Sequence, residues 1–499
     1  MQALDRHVDF AVVDRAGAPV PADQSATAMV VDMEFLPAFT HKPKVSAGKV
    51  GLPVADGPFA VSIRMMVEGF GHVYVYADAG GRGYTAGDVA GRTLDFVLEA
   101  AVSRLDQVTR AESRLGGTGL SSDYHRHVAE ARTLLDDARR ATAAESRAQL
   151  ATDALAGALQ AGEMLAVERA QQRIAARPPR RAFRFGCNAF GYPKHGEPYA
   201  RLFADALNFA TLPFYRNMVE PAEGKRDYCQ AQKILQWTQA AGIAVKGHPL
   251  IWENHAGLPS WLRGRSFPQI CDAHRDYIAD AVGRFRGQID TWDVINEAHD
   301  WANDPRHSLE QLVELTRLAC DATRQANPSA VRVVNNCCTW SEYVASAQCS
   351  AGALGRPGRS VLGYLRDVLA DGVDFEVVGV QMYYPYRDLF EIDRHLDLFC
   401  ALGKPVHITE LGVSSSEAPR KSHIKMPVPR WHGHPWSEAQ QADWIEGYYT
   451  ICYAKEAIEA VTWWDFAEPA WYPHGALVDE NLHPKAGYAR MKHLVQLWR

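Results

Sequence analysis

Two glutamates carry the clearest chemistry in the sequence. Glu297 closes the run WDVINEA directly after Asn296, and Glu410 closes the run VHITELG. Each follows a strongly apolar stretch of the kind that forms a strand buried on both faces, so each carboxyl belongs at a strand end. Two carboxyls facing one pocket can cleave a glycosidic bond. One supplies a proton to the leaving oxygen, and the other meets the positive charge that develops at the anomeric carbon. A lone glutamate at a strand end is usually a solvated surface residue, but these two come with company.

The same strand ends gather His248, Trp252, Asn296, Gln381, Tyr383, His407, Trp463 and Trp471. Aromatic faces stack on the C–H bonds of sugars and amides bind hydroxyls, so this set suits a carbohydrate. His248 ends its run beside Pro249 and near Trp252, which favours a substrate hydroxyl contact over a core position. His407 lies three positions before Glu410, so strand alternation turns it to the opposite face as a packed or hydrogen-bonded histidine. The nine cysteines show no C-x-x-C spacing and read as buried thiols, including the adjacent Cys337 and Cys338. The histidines and acids form no H-x-x-x-H or clustered carboxylate pattern, so no metal and no cofactor is expected.

The elements that position these residues can be counted. After Arg181, eight apolar runs alternate with amphipathic helices: RFGCNAF, FATLPFY, AVKGHPLIW, IDTWDVINEA, VRVVNN, VVGVQMYY, VHITELGV and AVTWWDF. This order predicts an α/β fold, a closed (β/α)8 TIM barrel over 181–499, whose reactive groups sit at the C-terminal strand ends. Residues 1–92 read as a β-rich, sandwich-like accessory unit, and 93–180 as a helical hairpin, broken near Gly116 to Ser122, followed by the linker ARPPRR. Tyr74, Tyr76 and Tyr84 either offer stacking faces or pack half-buried; a structural or homo-oligomerisation role for this region is the favoured expectation.

With a net charge of −6 and a pI near 6.3, the chain has no electrostatic reason to bind nucleic acid. It contains no apolar run long enough to span a membrane. The start MQALDRHVDF carries charges where a leader would be apolar, so the protein is expected to be secreted or periplasmic if a leader was removed, and cytoplasmic otherwise.

From about Gly186 to Trp498 the sequence resembles glycoside hydrolase family 10, barrel xylanases with catalytic glutamates after strands four and seven. WDVINEA looks like the acid/base segment of that family, which implies proton donation by Glu297 and a 2-hydroxyl contact by Asn296. ITELG looks like its nucleophile segment, which implies Glu410. GHPLIW is similar to the third-strand motif and places His248 and Trp252 in the sugar pocket, while VGVQMYY does the same for Gln381. Trp463 and Trp471 keep the family's tryptophan spacing, and PKAGY around Lys485 matches its closing helix. The resemblance implies retention through a covalent glycosyl intermediate, with Glu297 raised in pKa and Glu410 kept ionised by its hydrogen bonds.

Three departures bear on substrate. Tyr215 and Arg216 stand where the family has a lysine and a tryptophan, Glu253 replaces a histidine, and Tyr383 replaces another. Tyr215, Arg216 and Glu253 form either a rebuilt recognition patch, with Arg216 meeting an acidic sugar substituent, or an Arg–Glu pair that only fixes loops. The expected activity is endo-β-1,4-xylanase-like. The alternatives are a related glycosidase acting on substituted xylan, β-glucan or a bacterial exopolysaccharide, and a non-catalytic carbohydrate-binding protein. The long stretches Thr339 to Arg359 and Ser414 to Pro435 are expected to wall the cleft.

Overall fold

The computed structural model describes residues 7–54, 56–114, 116, 118–348, 354–383, 386–419 and 431–498. Cys349 and parts of both long loops expected to wall the cleft, 349–353 and 420–430, lie outside these residues.

The chain opens with β1 (His7–Ala11), β2 (Met29–Val31), β3 (Lys44–Ser46), β4 (Lys49–Pro53), β5 (Ala60–Val67), β6 (Gly71–Ala77), the short α1 (Ala86–Val89) and β7 (Thr93–Asp95). They form two small sheets, ordered β3-β4-β1-β7 and β2-β5-β6. In β6, GHVYVYA, six of seven residues are buried, because one face meets the sheet core and the other meets the barrel. Tyr74, Tyr76 and Tyr84 are only 6%, 3% and 4% exposed, which removes them as stacking faces for a ligand.

Three long helices follow: α2 (Phe96–Arg114), α3 (Ser122–Arg140) and α4 (Ala144–Ala175). The break near Gly116 falls where the sequence indicates it, and the Ser121 hydroxyl caps α3 by accepting from the Tyr124 N–H. A second break at 141–143 turns the expected hairpin into three helices. Small alanines on several faces of α4 allow close packing against α2 and α3 and, on the other side, against barrel helices.

Eight parallel strands close the barrel: β8 (Arg184–Asn188), β9 (Phe209–Pro213), β10 (Ala244–His248), β11 (Thr291–Asn296), β12 (Val331–Asn336), β13 (Val377–Gln381), β14 (Val406–Leu411) and β15 (Ile458–Trp463). Around them run α5 (Tyr192–Ala206), α6 (Arg216–Val219), α7 (Cys229–Ala240), α8 (Phe267–Arg284), α9 (Leu309–Ala326), α10 (Glu342–Ser346), α11 (Val361–Ala370), α12 (Leu389–Cys400), α13 (Glu438–Ala454) and α14 (Ala486–Trp498). Five of these helices start after Ser266, Ser308, Ser360, Asp388 and Ser437, residue types whose oxygens satisfy otherwise orphaned N–H groups. The register of the barrel slips between Asp293 and Ile295, between Val380 and Gln381, and between Ile408 and Leu411. Such bulges re-aim side chains, and all three lie beside the strand ends that carry the candidate residues. No helix among the described residues is long and apolar enough to cross a membrane.

At the opposite, N-terminal end of the barrel, His407 is buried with its Nε2 3.8 Å from the Glu459 carboxylate, and it lines a cavity of about 460 Å³ together with Arg184 and Phe209. It points away from Glu410 into this cavity, and burial lowers its pKa.

Candidate active site

Glu297 follows β11 with φ of 58°, a left-handed conformation that costs a non-glycine residue about 1 kcal/mol. The turn is held because the Glu297 N–H donates to the Asn335 carbonyl (2.8 Å) and its carbonyl accepts from the Ala302 N–H (3.2 Å). The side chain thereby enters the barrel mouth, where Oε1 accepts from Gln381 Nε2 and Oε2 from Trp252 Nε1, both at 2.9 Å. Glu410, near the end of β14, accepts from the Tyr383 hydroxyl at 2.8 Å on Oε2. Its Oε1 lies 3.4 Å from Asn335 Nδ2 and 3.7 Å from His248 Nε2.

The two carboxyls share one amide network. Asn296 Oδ1 accepts from Asn335 Nδ2 (2.7 Å) and Gln381 Nε2 (3.3 Å), so the donors of one glutamate are oriented by the neighbours of the other. Asn335 Oδ1 in turn accepts from the Thr409 hydroxyl. Gly379 is required on the next strand, because a Cβ there would sit 2.8 Å from Asn335 Oδ1.

Burial raises the pKa of Glu297, against the hydrogen bonds from Gln381 and Trp252. Burial and then the charge of Glu297 push Glu410 up to about 8, against the Tyr383 bond. The expectation that hydrogen bonds would keep Glu410 in the ordinary carboxylate range is therefore corrected: burial, with the facing carboxylate, outweighs one phenol. At neutral pH such a pair holds one proton between its members.

His248 is buried below Glu410. Its Nδ1 meets Asp293 Oδ2 at 2.7 Å, and Lys246 Nζ meets the same oxygen at 2.7 Å. Asp293 can only accept, so His248 carries its proton on Nδ1 and presents Nε2 to the cleft. Burial lowers the pKa of His248, which keeps it neutral. Burial opposes ionisation of Asp293, but the Lys246 ammonium and the His248 bond outweigh it and hold the carboxyl below its usual range.

The aromatic wall is built from several strands. Half-buried Tyr215 lies edge-on to His248 (5.4 Å between ring centres) and 5.9 Å from Trp252. Trp464 is edge-on to His248 at 5.3 Å. Trp471 is 43% exposed, its ring 4.6 Å from that of Tyr383, and its backbone N–H donates to Asp465. Trp463, the expected partner of Trp471, is fully buried with its indole donating to the Gly475 carbonyl at 2.8 Å. Trp464, only 5% exposed, is the one that stands beside His248. Cys337 lies beside Glu297 and His299, and burial pushes its thiol well up, so it carries no thiolate.

Arg216 and Glu253 are not brought into this cleft. Arg216 Nε donates to Glu220 (3.0 Å) and its Nη1 to His274 Nδ1 (2.9 Å), with the guanidinium over the Trp261 and Tyr277 rings. His274 Nε2 then donates to Glu253 Oε1 (2.5 Å), and His307 Nε2 lies 3.3 Å from Oε2. The chain Arg216–His274–Glu253–His307 is 4% exposed or less throughout. Neither of the two expected arrangements is formed: Arg216 meets no cleft, and it reaches Glu253 only through a histidine. Burial alone would raise Glu253, but the bonds from His274 and His307 hold it at about 2.

Asn335, Asp293, Lys246 and Trp464 also belong to the site. The polar pair that ends the apolar run VRVVNN is a signal for Asn335, and Trp464 is the chain neighbour of Trp463. Lys246 and Asp293 lie inside apolar runs, and their pairing with each other and with His248 explains them.

The model for glycosyl hydrolase family 10 matches residues 213–494. The chain is 23% identical to endo-1,4-beta-xylanase B of Thermotoga neapolitana over 56% of its own length and 77% of that protein. It is 25% identical to endo-1,4-beta-xylanase A of Phanerodontia chrysosporium, over 51% of its length and 57% of the relative's. A similar match, 25% identity over 64% of this chain and 38% of the relative, is the anti-sigma-I factor RsgI6 of Acetivibrio thermocellus. Among solved structures, xylanase 10B of Thermotoga petrophila in complex with xylobiose aligns with a TM-score of 0.48 and 21% identity, covering 66% of this chain and 96% of that one.

Proposed function

The chain belongs to glycosyl hydrolase family 10, and on that premise we propose that it hydrolyses a β-1,4-linked xylan backbone with retention of anomeric configuration. The observation that carries the reading is the pair Glu297 and Glu410, held at strand ends in one amide network. Glu297 is the acid/base and Glu410 the nucleophile. A glycosidic oxygen bound beside Glu297 offers the proton an acceptor, so the proton settles there. The positive charge growing at the anomeric carbon stabilises Glu410 in its ionised form. Attack by Glu410 forms the glycosyl ester as the leaving oxygen takes the proton. Water, deprotonated by Glu297, then cleaves the ester and restores both groups.

His248 presents Nε2, and Asn296 an amide group turned toward Glu297, as partners for sugar hydroxyls; Tyr215, Trp252, Trp464 and Trp471 supply apolar faces. Gln381 and Tyr383 hold the carboxyls. Since Arg216 and Glu253 lie behind this wall, nothing in the chain favours an acidic sugar substituent over a neutral backbone at that point. Tyr215, where the family resemblance calls for a cation, favours a second reading in which the same mechanism acts on another neutral glycan such as a β-glucan.

Reducing-sugar release from xylan, substituted xylans, mixed-linkage glucan and bacterial exopolysaccharides tests both, run beside Glu297→Ala and Glu410→Ala. Xylan cleavage lost in both variants is the expected result. Variant-sensitive cleavage of a different glycan alone would replace the substrate. No cleavage of any would overturn the hydrolase in favour of a binding role.

A further inference from the structure

The residues before Arg181 lie outside the segment matched to the family, yet they grip the loop that carries Tyr383. Three residues beyond Tyr383, the Tyr386 carbonyl accepts from the Tyr74 N–H of β6 at 2.8 Å, and the Tyr386 ring lies under the Arg64 guanidinium of β5 at 4.5 Å. Next, the fully buried Arg387 donates through Nε to the Tyr76 hydroxyl and through Nη2 to Glu342, both at 2.9 Å. Its plane lies 3.7 Å from the Tyr74 ring centre. Asp388 then receives a bidentate pair from Arg104 of α2 at 2.8 and 2.9 Å, both side chains buried.

Resting on the hydrolase reading above, we infer that Arg387, clamped by Tyr74 and Tyr76, is a positioning residue for Tyr383 and through it for the nucleophile Glu410. The N-terminal unit is thus a working part of the cleft. Gln381 is fixed by β13 and Tyr386 to Asp388 by the clamp, and Tyr383 falls between these two anchors in the sequence. Packing alone would be served as well by an apolar side chain, because burying a guanidinium is costly. What arginine adds is direction: its rigid fork meets two acceptors from different elements while its face fixes a third. Direction is what Tyr383 needs, since its hydroxyl must stay 2.8 Å from Glu410 and a shift of about 1 Å in such a contact can cost about a hundredfold in rate.

The test uses the full chain with Tyr76→Phe, which deletes one hydroxyl, and Arg387→Lys, which keeps the charge but loses the fork. Both should lower kcat on xylan by about tenfold with KM within about twofold. The basic limb of the pH profile should also move up, because Glu410 loses the phenol that opposes its protonation. On a Tyr383→Phe background, Arg387→Lys should cost nothing more, as residues acting through one contact are non-additive. Parent-like kcat and pH limb in folded Arg387→Lys and Tyr76→Phe, or independent losses in the double variant, would overturn the inference. If the unsubstituted chain cleaves no glycan, the hydrolase reading is what fails. Hydrogen exchange then decides: faster exchange in β13 and Tyr383 of Arg387→Lys, with β8 and β9 unchanged, supports the clamp, and exchange unchanged at β13 or faster throughout removes it.

Discussion

Two clusters of buried carboxylates sit on the same side of the barrel and behave oppositely. Behind the wall, Glu253 takes bonds from two histidines, and it is held at about 2. In the cleft, burial and the facing Glu297 carboxylate outweigh the Tyr383 phenol and the Lys246 charge, and Glu410 is pushed up to about 8. Both are equally hidden from water, so burial is not what separates them. The difference is completeness: a satisfied cluster is structural, whereas charge left unbalanced in an open pocket is available for chemistry.

The sharpest way to break this comparison is to remove the carboxyls one at a time. Glu297→Ala and Glu410→Ala should each lower kcat/KM by at least about a thousandfold with little loss of thermal stability. Glu253→Ala should do the reverse, costing about 3–5 kcal/mol of stability because it strands a buried polar cluster. Activity per folded molecule should stay within a few-fold. Chemical denaturation alongside initial rates separates the two outcomes, and an inactive but stable Glu253→Ala would place that cluster in the chemistry.

The opposite pKa shifts give a finer test, because Glu→Gln should change stability with opposite pH slopes at the two places. Glu410 is raised, so its contribution is fully present below its unfolded value of 4.5 and is lost as pH rises through about 8. Glu410→Gln should therefore gain in Tm relative to the parent between pH 5 and pH 8. Glu253 is depressed, so its contribution is present above 4.5 and is lost as pH falls toward about 2. Glu253→Gln should lose least at the acid end. Parallel slopes in scans from pH 3 to pH 9 would refute the contrast. In the parent, kcat/KM should fall on the alkaline side near pH 8 as the shared proton leaves. The smallest effect is expected at the rim, where Trp471→Ala should raise KM about three- to tenfold through lost stacking and leave kcat nearly unchanged.

Much of this was legible in the sequence, and the reasons differ by element. The barrel could be counted because its strands are unbroken apolar runs, and Glu297 and Glu410 stood out because each ends one. The Arg216 chain was not legible, since His274 comes from α8 and His307 from the stretch before α9, 21 and 54 residues from Glu253. No local pattern announces that pairing. Trp463 and Trp464 are neighbours, and the register slip beside Leu411 and Trp463 decides which one faces the cleft. The third helix has no signal in the sequence, because the break after Arg140 contains no glycine or proline. The burial of Tyr74 and Tyr76 depends on residues 386–388, over 300 positions away.

That separation bears on how the molecule is made. Tyr76 and its partner Arg387 are 311 residues apart, and at ribosomal speeds of 5–20 residues per second the first waits roughly 15–60 s for the second. In that interval the face of β6 and the outer side of α4 are exposed, apolar and without a mate. Nascent chains should accordingly recruit holding chaperones at this face. Cells short of such chaperones should accumulate aggregates of the newly made chain.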